Sequence, residues 1–408
     1  MFFRTSPLTV ECDLNNVCRS DGMLFVRDGV GLAGRGIVTE VPEDGAHEFL
    51  AGSEPVAGSM HLEHPSAGPV LFGLVPFLPS RRARFVLPRF VIAKHADGSA
   101  TATIVGRSRD DVSENALRAA IADAVTASPP RPSSNSFRVS ARTPVSRYLD
   151  AVTTARDAVR AGVLRKAVIA RDVEVHADDV LDVHAILLRL RASFGSSYRY
   201  CVGNMIGASP ELLLSVEGRT VRSHPLAGTA PRTGDPATDA RLAADLISST
   251  KDQIEHRVVI DMVHDTLLPH CSYLDWEPEP SIVTVANVQH LGTAIEGALA
   301  EPVPPVMSLV REICPTPALG GFPSAEAIRL INETEGMDRA YYGGAVGWLD
   351  SRGNGTFAVT IRCAELSTDG RSARLFAGGG IVAESNPYAE LAETQAKLQA
   401  MLSAIVRP

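Results

Sequence analysis

The chain has 408 residues, 45% of them apolar and 21% charged, a balance that suits a folded globule with a large core and argues against extensive disorder. Its net charge of -8, with no basic run, disfavours nucleic acid and anionic membrane as partners; an anionic ligand would need positive charge gathered locally by a metal or a few Arg and Lys side chains. The longest apolar stretch, near Val70 to Leu78, is too short to span a bilayer, and the start MFFRTSPLTV has no signal-peptide hydrophobic region, so a cytoplasmic location is expected.

Strand-like runs at Arg84 to Lys94 and Thr101 to Val105 precede a helical pattern from Val112 to Val125. The Pro- and Ser-rich PPRPSSNS, 129 to 136, reads as a linker and as the best boundary. Residues 1–128 are expected to be a variable N-terminal part, and 137–405 the catalytic core, of one fold. A helix over about Val145 to Ala161 leads into KAVIARDVEV, 166 to 175, whose alternation and β-branched content predict a strand, and another helix follows near Val180 to Ala192. Strand patterns recur at Tyr198 to Gly203, Glu211 to Val216 and Thr220 to Ser223, before one long helical stretch over roughly 236 to 268.

The last third repeats this mixture, with helices near 324 to 335 and 387 to 404 and strands near 342 to 349, 356 to 365 and 373 to 382. Asp350 to Gly355 supplies a hairpin turn. Strands in runs, without strict βαβ alternation or an internal repeat, point to an α+β fold. Six scattered cysteines, with no C-x-x-C pair, read as reduced structural thiols.

Two segments carry acids at helical spacing. In STKDQIEH, 249 to 256, Asp252 and Glu255 are three apart; in NPYAELAETQAK, 386 to 397, Glu390 and Glu393 repeat that spacing and Lys397 lies one turn on. If the two faces oppose each other, the four acids would repel unless a hard dication sat between them, and Mg²⁺ with retained waters suits such a set. Solvated helix faces are the commoner reason for this spacing, which therefore decides little by itself.

The neighbouring segments decide more. GASPELLLSVEGRTVRSHPLAGTAPR (207 to 232), STKDQIEHRVVIDMV (249 to 263), CPTPALGGFP (314 to 323), YYGGAVGWLD (341 to 350) and FAGGGIVAESNPYAELAETQAKL (376 to 398) together closely resemble the chorismate-binding family of anthranilate, aminodeoxychorismate, isochorismate and salicylate synthases. The resemblance covers about residues 140 to 405. It implies two stacked antiparallel sheets wrapped by helices in a single large domain, chorismate as substrate and Mg²⁺ as cofactor. By motif, Glu255 and Glu393 are the implied direct metal ligands, with Asp252 and Glu390 supporting them through water. Arg362 would grip the side-chain carboxylate through its planar fork. Tyr342 and the backbone amides of Gly378 and Gly380 would assist, in a site that also includes Lys397.

Isochorismate formation adds water at ring C2 while the C4 hydroxyl leaves, so it needs a base and an acid. The resemblance implies Lys166 as the base, because water-adding members carry lysine where anthranilate synthases carry glutamine, and Glu211 as the acid. Thr229 of the segment Ala227, Gly228, Thr229 would hydrogen-bond the leaving hydroxyl. Aminodeoxychorismate synthases commonly have a nucleophilic lysine where Ala227 stands. Salicylate synthases share Lys166, Glu211 and His290, but Ala318 and Ile361 differ from their usual Thr and Leu; Tyr342 points the other way. The expected order is isochorismate synthase first, salicylate synthase second and amino-isochorismate formation third. A non-catalytic chorismate-binding protein would be expected to have lost an acid, base or ligand, and none is missing. No glutaminase-type cysteine turn is present, and a monomer is expected, with a homodimer as the alternative.

Overall fold

The structure, a computed structural model, describes residues 1–60, 63–126, 135–285 and 288–407. Most of the predicted linker, residues 129–134, falls outside the described residues. The strands form an antiparallel architecture with helices on its outer faces, as the sequence pattern implied. One two-residue parallel contact, Phe2 and Phe3 against Glu54 and Pro55, departs from it. Hydrogen bonds connect most described strands into one continuous network, and a separate three-stranded sheet holds Leu226–Pro231, Val288–Gly292 and Ser281–Val285.

The longest regular pairing sets strand Lys166–Ala177 against strand Ser372–Ile381, in register from Ala167 opposite Ile381 to His176 opposite Ser372. The N-terminal third is woven into the same network. Met23–Arg27 pairs with Tyr198–Val202, and Val70–Val75 with Ala345–Asp350. Val70–Val75 is buried at every position, so its unbroken apolar run is a central strand without a solvent face. The predicted strand Arg84–Lys94 has those bounds, and Asp350 to Gly355 turns between the paired strands Ala345–Asp350 and Gly355–Val359.

Apolar side chains fall into three principal cores. One lies among Phe25, Phe72, Tyr200, Leu212, Trp348 and Phe376. A second packs Phe85, Leu214 and Phe357 against Ile260 and Leu309 of two helices. In the third, Leu398, Met401 and Ile405 of helix Pro387–Val406 meet Leu375 and Leu187. Burying one such Leu or Ile side chain contributes about 1.5–3 kcal/mol. Among the described residues no helix is long and apolar enough to cross a membrane.

Two predicted elements are broken, and both breaks fall at the cavity described below. The stretch 236 to 268 is two helices, Pro236–Ser248 and Thr250–Leu267, parted at Ser249 with extended dihedrals. The Ser249 hydroxyl accepts from the Asp252 backbone N–H and in turn hydrogen-bonds its carboxylate, a local cap that wins over continuation of the helix. The run 356 to 365 is likewise two strands, Gly355–Val359 and Cys363–Leu366. Between them Arg362 adopts a left-handed backbone, with φ of 50°.

Ser249→Ala should lower stability by about 1 kcal/mol through loss of the cap. Urea denaturation read by circular dichroism checks this: the expected result is an earlier midpoint with an unchanged slope, and an unmoved midpoint would remove the cap from the account.

Candidate active site

Helices Thr250–Leu267 and Pro387–Val406 begin at side-chain caps, Ser249 and Asn386, the latter accepting from the N–H groups of Tyr388 and Ala389. Their N-terminal turns carry Asp252, Glu255, Glu390 and Glu393, where the positive end of the helix dipole favours carboxylates. All four line one cavity of ≈ 240 Å³. So do Lys166, Glu211, Ala227, Gly228, Thr229, His290, Ala318, Tyr342, Ile361, Arg362, Gly378, Gly380 and Lys397. Residues scattered over more than half of the sequence thus meet around one space.

Glu211 is 3% exposed and follows Pro210 at the entry to strand Leu212–Glu217. Burial pushes its carboxyl up to about 8, against the opposing pull of the Leu226 N–H and of the Lys166 and Arg362 charges. At neutral pH it therefore holds its proton and can donate it. The Leu226 N–H reaches Oε1 at 3.4 Å.

Lys166 opens its strand on the same cavity and is almost wholly buried. Its Nζ donates to Glu255 Oε1 at 2.6 Å. On the second helix Lys397 pairs with Glu393 and donates to the Gly378 carbonyl at 2.8 Å. Burial raises Glu393, but Lys397 and the Arg362 and Lys251 charges together hold it below its ordinary value. Glu390 goes the other way: burial, then the Glu393 charge, push it up to about 7 although Ser385 donates to it at 2.9 Å.

Crowded carboxylates of this kind, offering oxygen donors only, fit a hard dication, whose charge would relieve the repulsion that raises Glu390. In the present arrangement Glu255 and Glu393 are each engaged by a lysine. Among the described residues no three acidic, imidazole or thiol side chains close on one point as a ready metal cluster. Loading a cation would therefore require the two acids to turn from their lysines.

The glycines beneath these groups leave room for the ends of charged side chains. A Cβ on Gly380 would stand 2.8 Å from both Glu255 Oε1 and Lys166 Cε, and one on Gly379 would stand 2.6 Å from Glu390 Oε2. The sequence had suggested backbone amides as the reason for Gly378 and Gly380. The structure adds room for charged side chains, and shows Gly378 offering its carbonyl to Lys397. Gly228, at φ 76°, turns the chain where a Cβ would press on Asp252 Cβ at 3.2 Å.

Arg362 is 7% exposed and its guanidinium is held at one corner: NH2 donates to His290 Nε2 at 3.2 Å. His290 Nδ1 faces the Gly228 carbonyl at 3.2 Å and Thr229 Oγ1 at 3.1 Å. Burial, with Arg362 and Lys397 nearby, pushes this imidazole down to about 3. It is therefore neutral, and the two contacts fix its tautomer, with the proton on Nδ1 and a lone pair toward Arg362. Arg362 lines the cavity, and its NH1 is buried without a protein hydrogen-bond partner. Tyr342 stacks on Phe376 with ring centroids 5.2 Å apart, and a Cβ on Gly378 would lie 3.1 Å from its hydroxyl.

The cavity also includes residues not singled out from the sequence, among them Lys251, Val168, Leu319 and Phe376. Lys251 stands directly before Asp252 in STKDQIEH, and its charge acts on Glu390 and Glu393. Phe376 opens the quoted FAGGG segment, so position beside a motif was the available signal for both.

The chain is similar to several known proteins in sequence and in fold. The profile of the family described as Chorismate binding enzyme matches residues 32–406. A putative isochorismate synthase MenF of Mycobacterium tuberculosis is 44% identical over 275 residues, 64% of this chain and 74% of that protein. Isochorismate synthase DhbC of Bacillus subtilis is 33% identical over 388 residues, 92% and 91% of the two chains. The crystal structure of a putative 2,3-dihydroxybenzoate-specific isochorismate synthase, DhbC from Bacillus anthracis, superposes with a TM-score of 0.77 at 29% identity, covering 96% of this chain and 98% of that one.

Gly380→Ala tests the steric reading of the glycine strand. It should cut turnover of the site's substrate at least about tenfold by displacing the Lys166–Glu255 pair, while the unfolding temperature moves by only a few degrees. Unchanged steady-state kinetics would show that the pair tolerates the methyl group.

Proposed function

The chain belongs to the chorismate-binding enzyme family, and from that membership we propose that it is an isochorismate synthase, converting chorismate to isochorismate by adding water at ring C2 with loss of the C4 hydroxyl. The observation that carries the reading is a protonated carboxylic acid, Glu211, sharing one cavity with an amine, Lys166, whose charge acts upon it. Water addition with departure of hydroxide needs a group that gives a proton and one that takes one.

Chorismate is a dicarboxylate, and the site offers two separate anion grips. Arg362, steadied by His290, would hold the side-chain carboxylate with its guanidinium. Glu255 and Glu393 would hold Mg²⁺, with Asp252 and Glu390 supporting it through water, and the bound ion would supply positive charge for the ring carboxylate. Lys397 remains on the Gly378 carbonyl when Glu393 turns from it to the metal. Tyr342 and the glycine strand bound the cavity beside them.

With the ring fixed, Lys166, parted from Glu255 and having first lost its ammonium proton to bulk water, takes a proton from the attacking water as its oxygen bonds to C2. Both ring double bonds shift, C1=C2 becoming C1=C6 and C5=C6 becoming C4=C5, as the C4–O bond breaks. Glu211 gives its proton to the departing oxygen, which leaves as water, with Thr229 placed to hydrogen-bond it. Ala318, Ile361 and Ala227 give the wall no further nucleophile or hydroxyl, which supports stopping at isochorismate. The reaction is proposed to run in the cytoplasm, with no partner protein.

Incubation of purified protein with chorismate and Mg²⁺ should yield isochorismate without pyruvate, resolved by chromatography; stoichiometric pyruvate with salicylate would replace the synthase reading by the lyase one. Lys166→Ala should abolish turnover while chorismate still binds, and near-normal turnover would remove Lys166 from the mechanism. Because the acid must be protonated, kcat/KM should fall as pH rises through about 8. A rate that keeps rising well past that point would exclude Glu211 as the donor. Glu393→Gln should weaken magnesium dependence and chorismate affinity together, and an unchanged magnesium titration would contradict the ligand assignment.

A further inference from the structure

Arg362 is held at its guanidinium by His290, but its backbone poses a separate problem. A left-handed conformation is uncommon for a residue with a Cβ and costs on the order of 1 kcal/mol unless its surroundings enforce it. At φ 50° Arg362 has that conformation, and it directs the side chain that faces the cavity. Extended dihedrals here would continue the strand Gly355–Val359 and re-aim the side chain.

The enforcing contact comes from below the sheet. Tyr200, fully buried on strand Tyr198–Val202, donates its hydroxyl proton to the Ile361 carbonyl at 3.1 Å. That carbonyl belongs to the peptide bond entering Arg362, so its orientation is coupled to the φ of Arg362. The Arg362 carbonyl is held in turn by the Ala208 N–H at 3.1 Å. Tyr200, Gly207 and Cys363 form one cross-strand row through two antiparallel pairings. The tyrosine ring lies across the glycine, where a Cβ would come within 2.5 Å of its hydroxyl and 2.8 Å of the Arg362 carbonyl. The aromatic ring covers the bare glycine, and the glycine lets the hydroxyl reach the turn. Burial drives the Tyr200 phenol well above its ordinary range, so it remains a donor throughout the working pH range.

We infer that Tyr200, which does not line the cavity, is a positioning residue for Arg362: its hydroxyl holds the left-handed turn that aims the guanidinium at the substrate's carboxylate, and Gly207 exists to admit that hydroxyl. The role of the aimed guanidinium rests on the proposed function; the coupling of Tyr200 to Arg362 does not.

The test is a double-mutant cycle between Tyr200→Phe and Arg362→Ala, with chorismate affinity measured by calorimetry in the presence of Mg²⁺. Tyr200→Phe keeps the ring and the core and removes one hydrogen bond, so affinity should weaken about tenfold, with KM affected more than kcat. In the Arg362→Ala background the same change should cost nothing further, a non-additivity that general loosening of the core would not produce. In ligand-free protein, the Arg362 Nε–H resonance, assigned by its absence in Arg362→Lys, should move in Tyr200→Phe.

Unchanged affinity, an equal loss in both backgrounds, or an unmoved resonance would overturn the inference. Wild-type protein that fails to bind chorismate would instead sink the proposed function, leaving the ligand-free resonance to judge Tyr200. Should Tyr200→Phe not fold, Gly207→Ala displaces the hydroxyl from the other side and must show the same cycle and the same resonance shift.

Discussion

Glu211 sits with its carboxyl out of reach of bulk water, and removing an ionised carboxylate from water costs more than the nearby Lys166 and Arg362 charges and the Leu226 N–H return. The proton stays on, and the rest of the site has to be compatible with a neutral acid. Lys166 is taken up by Glu255 rather than by Glu211, and His290, squeezed between Arg362 and the Gly228 carbonyl, is neutral. One wall of the cavity can give a proton, while Lys166 and Lys397 are engaged by Glu255 and Glu393.

The same economy explains the bare strand. Two helix N-termini bring carboxylates and lysines against strand Ser372–Ile381 where Gly379 and Gly380 present no side chains. The ten-residue pairing with strand Lys166–Ala177 fixes the register of these glycines and places Lys166 at the strand's end. Fold and chemistry are thereby linked: the pairing that closes the sheet also sets the position of the proposed base against the proposed metal ligands.

Much of this was legible in the sequence, for identifiable reasons. Regular strands such as Arg84–Lys94 show themselves by alternation, and the acids on helices Thr250–Leu267 and Pro387–Val406 by their spacing. That the two acid pairs face one cavity was not a matter of periodicity; it came from motif resemblance, since no local rule relates residue 252 to residue 390. The break at Ser249 was concealed because Ser248, Ser249 and Thr250 include neither Gly nor Pro, although the Ser249-x-x-Asp252 capping pattern was there to see. The left-handed turn at Arg362 left no trace, because its cause is the hydroxyl of Tyr200, distant in sequence. Lys251 and Phe376 were passed over because they adjoin motif residues without any spacing of their own.

The protonation state of Glu211 is the most direct point of attack. Infrared difference spectra of wild-type protein against Glu211→Gln, followed through a pH titration, isolate its carboxyl stretch. The account predicts a protonated carboxyl band at neutral pH that disappears with a midpoint of about 8. A carboxylate spectrum already complete at neutral pH would contradict it.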